Sequence, residues 1–476
     1  RGFFLARAII PAQTVENGVI DIRVLEGRLG DVRVEGNEQF STQWLKAPFR
    51  DLQGELITVE NVETALLTLK NYPGLNAYGV FKPGSEVGQA DIIVNVQSED
   101  WYAASVRADN HGTQFTGQAR LLADFVWNNP ISGADQLGVT ALKTFDPDNA
   151  LYGQLRYTRA LPDPSYRAGI ELSRNTFTVT SLGGINIIGI EVGGVAEIAR
   201  IKLEKYFQRT RQSSVWGTID LARKRADTLF GSLVINRDDL AVLGLQLNYE
   251  RIDTGTASIN AGFVRLDVGL DGVMGVPNAD DIASQVPLPS RAAPDPDGDG
   301  LIYASSDFTK LTLGYSRLKS LTPTQSILFR LNGQYTNDIL TTLEQFVIGG
   351  PGSVRAIPVS QFLADSGLTA SLEYSVRAPF FADVPAFAGH TWGQLLGVSA
   401  FIDHGVGLTN NPLPSQARRI EVTGYGLGVQ FGIPGMFNLN LEAAKLVNDR
   451  GSANPLNVNA VEDESQVWMS FTWYFN

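Results

Sequence analysis

The segment that decides the fold lies at residues 151–158 and reads Leu-Tyr-Gly-Gln-Leu-Arg-Tyr-Thr. Its odd-numbered positions are mostly apolar, whereas three of its four even-numbered positions carry strongly polar side chains. Successive side chains of a β-strand point to opposite faces of the sheet, so this alternation is typical of a strand with one apolar and one polar face. The same pattern recurs at 166–173, 243–250, 437–442 and 467–476, and it dominates the chain from Trp101 onward.

Two classes of protein show such alternation, a large soluble β protein and a membrane β-barrel. Strands of soluble sheets commonly have about five or six residues, whereas these segments run to about ten or more, the length that a tilted strand needs to cross a bilayer. Charged residues make up 18% of the chain, below the usual share of about 25%. Aromatic residues near strand ends, such as Trp101, Phe145 and Trp473, are typical of interfacial girdles. We therefore predict an all-β transmembrane barrel.

The connections between the alternating segments indicate about sixteen antiparallel strands with two different ends. Short turns are predicted at 128–135, 162–165, 210–213, 253–256, 321–325 and 434–436. Long loops are predicted between them, at 230–239, 273–305, 339–367, 405–418 and 447–464. Short turns at one end and long loops at the other are typical of bacterial outer-membrane barrels. The exception is 380–392, a long connection on the short-turn side.

The residues before the barrel have a different pattern, which predicts a small α+β domain at 28–98. Strands are expected at 29–35, 75–82 and 90–96, and a short helix at 42–48. A longer helix begins after Thr58, a good N-cap residue, and ends before a Pro-Gly pair. Its predicted buried stripe consists of Val59, Val62, Leu66 and Leu69. Residues 1–27 contain two further strand-like segments, which we interpret as the end of a preceding domain, and 99–476 as the barrel.

Charge and motif content exclude several function classes. The net charge of −12 disfavours a nucleic-acid partner, because phosphate binding depends on Lys and Arg. The chain has no cysteine, which excludes disulfides and thiolate metal sites. The sequence shows no nucleophile elbow, phosphate-binding loop or paired histidine motif, and its three histidines are scattered. We therefore expect no enzymatic activity.

A glycine- and proline-rich segment at 349–358, Gly-Gly-Pro-Gly-Ser-Val-Arg-Ala-Ile-Pro, lies within one of the long loops. A later strand ends at 401–405 with Phe-Ile-Asp-His-Gly. Two interpretations are open. Arg355 is either solvated in an extracellular loop, or the loop folds into a watery lumen, where its guanidinium forms a bidentate pair with Asp403.

A second long loop contains Asp295, Asp297 and Asp299 at alternate positions, with glycines at 298 and 300. Alternate carboxylates followed by glycine match the first half of a calcium-binding loop. The position that would hold the closing glutamate is Ser306, although Asp307 is adjacent. The alternatives are therefore an extracellular calcium site and a solvated acidic turn, and no other cofactor is expected.

Together these features resemble the two-partner secretion (TpsB-type) transporters of the POTRA-and-barrel outer-membrane superfamily. The resemblance covers essentially the whole chain and includes Val-Glu-Gly-Asn at 34–37 in the small domain. In that family a Val-Arg-Gly-aromatic motif of the sixth extracellular loop contacts a Phe-x-Asp-x-Gly motif inside the barrel. The first motif is matched only by Val354 and Arg355, since Ala356 and Ile357 follow them. The second motif is matched in full by Phe401, Asp403 and Gly405.

The resemblance implies a monomeric transporter of the bacterial outer membrane, with POTRA domains in the periplasm. Its partner would be a large secreted protein with an N-terminal secretion domain, exported unfolded through the barrel. The resemblance also implies that a signal peptide, a plug helix, a linker and most of a first POTRA domain precede Arg1. It further implies an aromatic last residue, where this sequence has Asn476. The alternatives are an insertase of the same superfamily, a passive porin and, more remotely, an enzyme barrel.

Overall fold

The computed structural model describes residues 3, 5–14, 18–131, 133–179, 181–182, 185–186, 191–296, 298, 300–413, 416–450 and 465–475. These residues form a small α+β unit followed by one closed barrel. The last strand of the small unit ends at Glu99 and the first barrel strand begins at Tyr102. The two parts are therefore joined by a very short connection.

In the described part of the chain, the small unit contains two helices and five strands. In chain order they are β1 Arg7–Ile9, β2 Arg23–Leu25, β3 Arg28–Glu35, α1 Thr42–Lys46, a 3-10 turn at Ala47–Leu52, α2 Val59–Leu69, β4 Leu75–Pro83 and β5 Gln89–Glu99. Strands β1 and β2 form a short antiparallel pair. The main sheet has the order β3-β5-β4, in which β5 is parallel to β3 and antiparallel to β4. This is the predicted arrangement, although β1 and β2 are shorter than expected.

Helix α2 covers one face of this sheet. The side chain of Thr58 accepts a hydrogen bond from the backbone N–H of Asn61 at 3.1 Å, which caps the helix as predicted. Val62 and Leu69 are buried, but the prediction that Val59 is buried is wrong, because it lies in the exposed first turn. Ala65 takes part in the buried face instead. Among the described residues, no helix has the length and apolar character needed to span a bilayer.

The barrel follows as a series of antiparallel strands. In chain order the strands are β6 Tyr102–Asp109, β7 Ala119–Asn128, β8 Asp135–Phe145, β9 Ala150–Ala160, β10 Tyr166–Val179, β11 Ser181–Leu182, β12 Ile185–Asn186, β13 Val192–Arg209, β14 Ser213–Phe230, β15 Leu233–Asp253, β16 Ser258–Gly269, β17 Ala292–Pro294, β18 Leu301–Tyr303, β19 Thr309–Thr322, β20 Gln325–Tyr335, β21 Phe346–Ile348, β22 Phe362–Ala364, β23 Ser366–Arg377, β24 Leu396–Leu408, β25 Arg419–Ile433, β26 Phe437–Arg450 and β27 Ser465–Phe475. Three pairs, β11–β12, β17–β18 and β21–β22, are separate hairpins. The other sixteen strands close through β27 and β6, which confirms the predicted fold class.

The two faces of the barrel differ in polarity as the alternation predicts. On β9, Leu151 and Leu155 are exposed on the outer surface, while the side chains between them are partly covered. The inner face carries ion pairs, such as Asp220 with Arg265 at 2.6 Å and with Arg200 at 3.3 Å. An apolar outer wall and a polar interior are what a lipid bilayer outside and a hydrated lumen inside require.

The prediction of a long loop at 230–239 is wrong. Strand β14 continues to Phe230 and β15 begins at Leu233, so only two residues separate them. These strands have 18 and 21 residues, far more than the roughly ten that cross a bilayer. The hairpin therefore extends into water, where a polar strand is tolerated. Asp227 and Arg237, directly opposite in the ladder, form an ion pair at 2.7 Å there.

The small unit contacts the short turns of the barrel. The backbone carbonyl of Asn71 accepts a hydrogen bond from Arg167 at 3.0 Å, and its side chain accepts one from Arg209 at 2.9 Å. Glu63 on α2 pairs with Arg211 in the turn between β13 and β14 at 2.5 Å. The small unit is thus positioned at the short-turn end of the barrel.

One further helix, α3 at Trp392–Leu395, lies in the long connection on the short-turn side. A second 3-10 turn, Ala279–Ser284, lies in the loop between β16 and β19. The next long loop, residues 336–365 between β20 and β23, includes the β21–β22 hairpin and is called the lumenal loop below.

Candidate functional site

The tip of the lumenal loop is a tight turn that depends on glycine. Gly349 and Gly350 have φ values of 119° and 91°, which side chains other than glycine rarely adopt. The backbone N–H of Gly350 donates to the carbonyl of Ile357 at 3.1 Å, which closes the turn. The residues between them include Val354, Arg355 and Ala356, all buried against the inner wall. The loop therefore folds into the lumen.

Arg355 and Asp403 form the bidentate pair proposed in the lumenal interpretation. The guanidinium donates from Nε to Oδ2 at 2.8 Å and from Nη2 to Oδ1 at 2.9 Å. The backbone N–H of Arg355 adds a third hydrogen bond to Oδ2 at 3.0 Å. Only 2% of the arginine side chain and 1% of the aspartate side chain are exposed, so the pair is shielded from bulk water. Two parallel charge-assisted bonds fix the orientation of the guanidinium as well as its position.

Two further carboxylates share the same guanidinium. Nη1 of Arg355 donates to Glu373 at 2.8 Å and to Glu442 at 2.7 Å, and Nη2 donates to the hydroxyl of Ser371 at 3.1 Å. These partners lie on β23 and β26, on either side of the strands that carry the loop contacts. Arg330 also reaches Glu373 at 3.2 Å, which adds a second positive charge to the group. Three carboxylates thus surround one buried arginine.

An aromatic side chain lies against the guanidinium, and another holds the backbone of the loop. The guanidinium carbon of Arg355 lies 3.3 Å from the ring centroid of Phe401, a cation–π contact. The indole N–H of Trp468 donates to the backbone carbonyl of Arg355 at 2.7 Å. Since Trp468 lies on β27, the loop tip is connected to the last strand of the barrel.

Glycines on the barrel wall allow the loop to approach closely. A Cβ atom on Gly405 would lie 2.9 Å from a methyl group of Val354, closer than van der Waals contact. A Cβ atom on Gly424 would lie only 2.2 Å from the Cβ of Ala356. The position after Arg355 is therefore restricted to a very small side chain. This explains in physical terms how alanine is accommodated where the Val-Arg-Gly-aromatic motif has glycine.

A second charge cluster holds the base of the lumenal loop. Glu344 has 1% of its side chain exposed and pairs with Lys224 on β14 at 2.5 Å and with Lys310 on β19 at 2.7 Å. Two buried lysines thus face one buried carboxylate. The backbone carbonyl of Glu344 also accepts from Lys310 at 3.1 Å and from Gln334 at 3.0 Å. The loop is therefore attached to a second part of the wall, opposite in charge to the first.

A third cluster connects three loops above the barrel. Asp365, at the end of the lumenal loop, is fully buried and forms a bidentate pair with Arg291 of the preceding long loop, with one of the two bonds at 2.8 Å. The same carboxylate accepts from the backbone N–H of Asn410 at 2.7 Å. Arg291 in turn donates to the carbonyls of Leu340 and Asn410. The ion pair and the hydrogen bonds around it thus cross-link the three loops.

The aspartate-rich segment gives no metal site among the residues that can be described. Asp295 follows β17, and its backbone N–H donates to the carbonyl of Gly300 at 3.1 Å. Asp297 and Asp299 lie outside the described residues. Within the described part of the chain, no group of three or more His, Cys, Asp or Glu side chains could hold a metal ion. The calcium site stays a prediction.

Sequence reasoning placed Val354, Arg355, Phe401, Asp403 and Gly405 in one site, and the structure brings all five together. It missed the carboxylates on β23 and β26, Trp468, and the two outer charge clusters. The available signal was the alternation itself, since Glu442 falls on the polar face of its strand. Alternation assigns a residue to the lumen, but it does not say which other strand that residue faces.

Curated relatives match nearly the whole chain at low identity. The heme/hemopexin transporter protein HuxB of Haemophilus influenzae (strain 86-028NP) is 22% identical over 485 residues, covering 98% of this chain and 77% of that protein. The outer membrane transporter CdiB of Dickeya dadantii (strain 3937) is 23% identical over 364 residues, covering 75% of this chain and 60% of that protein.

Solved structures show the same fold. CdiB from Escherichia coli has a TM-score of 0.78 at 19% identity, covering 100% of this chain and 81% of that one. CdiB from Acinetobacter baumannii has a TM-score of 0.71 at 18% identity, covering 100% of this chain and 79% of that one. BamA from Haemophilus ducreyi lacking POTRA domains 1–3 has a TM-score of 0.58 at 12% identity, covering 100% of this chain and 90% of that one. At these identities the likeness concerns the fold alone.

A family profile supplies the assignment that the fold alone does not. The profile described as haemolysin secretion/activation protein ShlB/FhaC/HecB matches residues 88–431, from the last strand of the small unit to β25. This range includes the lumenal loop and both motifs of the site. The chain therefore belongs to the ShlB/FhaC/HecB family of haemolysin secretion/activation proteins, which are outer-membrane transporters of the two-partner secretion type.

Proposed function

We propose that this protein secretes one large partner protein, in extended form, across the outer membrane through its barrel. The small unit lies in the periplasm and recognises the partner, and the lumenal loop controls passage. The observation that carries the proposal is the Arg355 site, which holds a long loop inside the wide polar lumen that a sixteen-stranded barrel provides.

The charged residues around Arg355 can hold the lumenal loop and also allow its release. Glu373 and Glu442 retain 17% and 24% exposure of their side chains, so water reaches the edge of the site. Partial hydration lowers the cost of separating the charges, since water can replace some of the lost hydrogen bonds. Water could not replace the contacts of a purely apolar anchor in this way. The site thus permits a closed resting state and an open transporting state.

The small unit offers an edge for recognising an extended partner. Strand β4 lies at the margin of the three-stranded sheet, and among the described residues no other strand pairs with its outer side. Tyr78 and Val80 on this strand are exposed. An added strand could gain backbone hydrogen bonds from the edge and side-chain contacts from these residues. Because the unit contacts the short turns, a segment bound here starts close to the barrel.

Secretion in a Gram-negative host tests the proposal. The chain is expressed with a candidate partner that carries an N-terminal secretion domain, and the partner is measured in the medium and in the periplasm. We expect the partner in the medium only when the chain is present and not when Arg355 is replaced by Ala. A partner that stays in the periplasm with every candidate tested would contradict secretion. If expression of the chain instead promoted the assembly of other β-barrel proteins, the result would support the alternative function of an insertase.

Photo-crosslinking tests the recognition step separately. The photoreactive amino acid benzoylphenylalanine replaces Tyr78 on the β4 edge. In a matched control it replaces Val87, which is more exposed but lies in the turn between β4 and β5. We expect crosslinks to the secretion domain from position 78 and none from position 87. Equal crosslinking at both positions, or none at either, would exclude the edge as the binding site.

A further inference from the structure

The long connection on the short-turn side, residues 378–395, has no role in the proposed secretion path. We call it the aromatic turn, because Phe380, Phe381, Phe387 and Trp392 lie within it. Between Ala378 and Leu396 the only charged side chain is that of Asp383. Several other short-turn connections are polar, such as Thr-Arg-Gln-Ser at 210–213, although Pro-Gly-Met at 434–436 is apolar. The aromatic turn is thus a long and strongly apolar segment at the end of the barrel that has the short turns.

The aromatic turn is an ordered element. Its two arms are joined by backbone hydrogen bonds from Trp392 to Val384 at 3.0 Å and from Ala386 to His390 at 2.8 Å. Thr391 begins α3 with a capping box, in which its backbone N–H donates to the side chain of Gln394 at 2.9 Å. These bonds hold the turn in one shape, so its exposed side chains are presented at fixed positions.

A continuous series of aromatic contacts connects the turn to the outer wall of the barrel. The ring of Trp392 lies 5.9 Å from that of Phe387, which lies 6.0 Å from Phe431 on β25. Phe431 lies 5.8 Å from Phe437, and Phe437 lies 6.2 Å from Trp473. Phe431, Phe437 and Trp473 point to the same face as the exposed apolar residues of their own strands, so they lie on the lipid-facing side of the barrel. The turn therefore folds toward the outside of the barrel, not into the lumen.

The far side of the turn is apolar and uncovered. Phe380 is fully exposed, and Val384 and Phe387 are about half exposed. Phe380 also has a φ of 74°, a strained value for a bulky residue that glycine or asparagine would adopt at lower cost. In water, nothing would offset the cost of a strained and fully exposed phenylalanine. At a membrane interface, burial of its ring in lipid offsets the strain.

We propose that the aromatic turn inserts into the interface of the membrane leaflet on the small-unit side, with Phe380, Val384 and Phe387 among the lipid acyl chains. The ligand is a phospholipid surface, and the turn is an interfacial anchor for the β23–β27 part of the wall. Lipid is favoured over a protein partner because the turn continues an outer wall that is itself in lipid. Aromatic side chains, moreover, partition to this depth of a bilayer.

Site-directed spin labelling tests this proposal on the full chain. The protein has no cysteine, so a single introduced cysteine carries the only label. The variants are Phe380→Cys and Val384→Cys in the turn, Leu427→Cys on the exposed outer face of β25 as the lipid control, and Thr254→Cys in the exposed turn after β15 as the water control. Each is reconstituted into vesicles of phosphatidylethanolamine and phosphatidylglycerol. Collision rates are measured with oxygen, which concentrates in lipid, and with a nickel chelate, which stays in water.

We expect labels at 380 and 384 to collide more with oxygen than with the nickel chelate, as the label at 427 does. The label at 254 should show the opposite order. A nickel-dominated signal at 380 and 384 would overturn the proposal, because the turn would then lie in water. Protection from both reagents would also overturn it, because the turn would then be packed on protein. Heat-modified migration on a gel confirms that each variant retains a folded barrel.

Discussion

Replacement of Arg355 by alanine should release the lumenal loop from the barrel wall. The change removes the bidentate pair with Asp403, the bonds to Glu373 and Glu442, and the contact with the ring of Phe401. It leaves Asp403 buried without its positive partner, whereas Glu373 keeps Arg330. While the loop stays docked, the barrel wall beneath it therefore carries uncompensated negative charge, which favours release of the loop.

The size of the effect follows from the burial of the pair. Removing one partner of a buried ion pair costs about 3–5 kcal/mol, because the other charge remains desolvated. The lower end applies here, since Glu442 is partly exposed and water enters from that side. At about 1.4 kcal/mol for each factor of ten, a loss of about 3 kcal/mol shifts the ratio of docked to released loop about a hundredfold.

Other variants at the site should form a graded series. Arg355→Lys keeps the charge but loses the planar fork and the ring contact, so we expect a shift of about tenfold. Asp403→Ala should be milder than Arg355→Ala, because the arginine retains two carboxylates. The double variant should shift the ratio by less than the product of the two single effects, as is usual for residues in direct contact.

Cysteine labelling measures the released fraction directly. Val354→Cys is a suitable reporter, since the site is fully buried in the docked loop, cysteine is similar in size to valine, and the chain has no other thiol. Intact cells are treated with a membrane-impermeant maleimide, and the labelling rate is compared with and without Arg355→Ala. We expect the rate to rise about a hundredfold with the shift in loop release. Heat-modified migration controls for the barrel, whose ladder hydrogen bonds do not involve this pair.

Two results would refute this reasoning. The first is an unchanged labelling rate in Arg355→Ala, which would mean that the loop is held by other contacts. The second is multiplicative behaviour of Arg355→Ala and Asp403→Ala, which would mean that the two residues act independently. In either case the lumenal pair would be a consequence of loop docking and not its cause.

Three further predictions concern the surroundings of the site. Gly424→Ala should prevent docking of the lumenal loop, because its new Cβ would overlap the Cβ of Ala356. Adding Ala356→Gly should restore docking and hence slow labelling of the Val354→Cys reporter. If this second change fails to restore slow labelling, the steric explanation is wrong. Asp365→Ala should remove the carboxylate that pairs with Arg291 and so loosen the three loops that this ion pair joins. Protease added to intact cells should then cleave these loops faster. An unchanged rate and fragment pattern would contradict a cross-link at Asp365. Calcium titration by calorimetry should give heat with an affinity of about 10⁻⁴–10⁻³ M, and replacing the three aspartates of 295–299 by Ala should abolish it; equal heats would leave only an acidic turn.

The sequence determined those features that depend on local periodicity. Alternation of period two predicted a barrel of about sixteen strands and the polarity of its faces, because a pleated strand must place neighbouring side chains on opposite sides. The spacing of apolar residues and the cap at Thr58 predicted helix α2. The pairing of Arg355 with Asp403 was suggested by two short motifs and a family resemblance, not by periodicity.

Tertiary structure decided everything that depends on contacts between distant segments. The joining of Glu373 and Glu442 on one guanidinium requires the assembled sheet, since β23 and β26 are brought near each other by the two strands that pair between them. The pairs of Glu344 with two lysines depend on the path of a loop through the lumen. The hairpin β14–β15 was mistaken for a loop because its polar residues pair only across the ladder. In the first two cases the stabilising partner lies on a distant segment, and in the hairpin it lies on the opposite strand, as Arg237 does for Asp227. The periodicity within one strand therefore could not reveal these pairs.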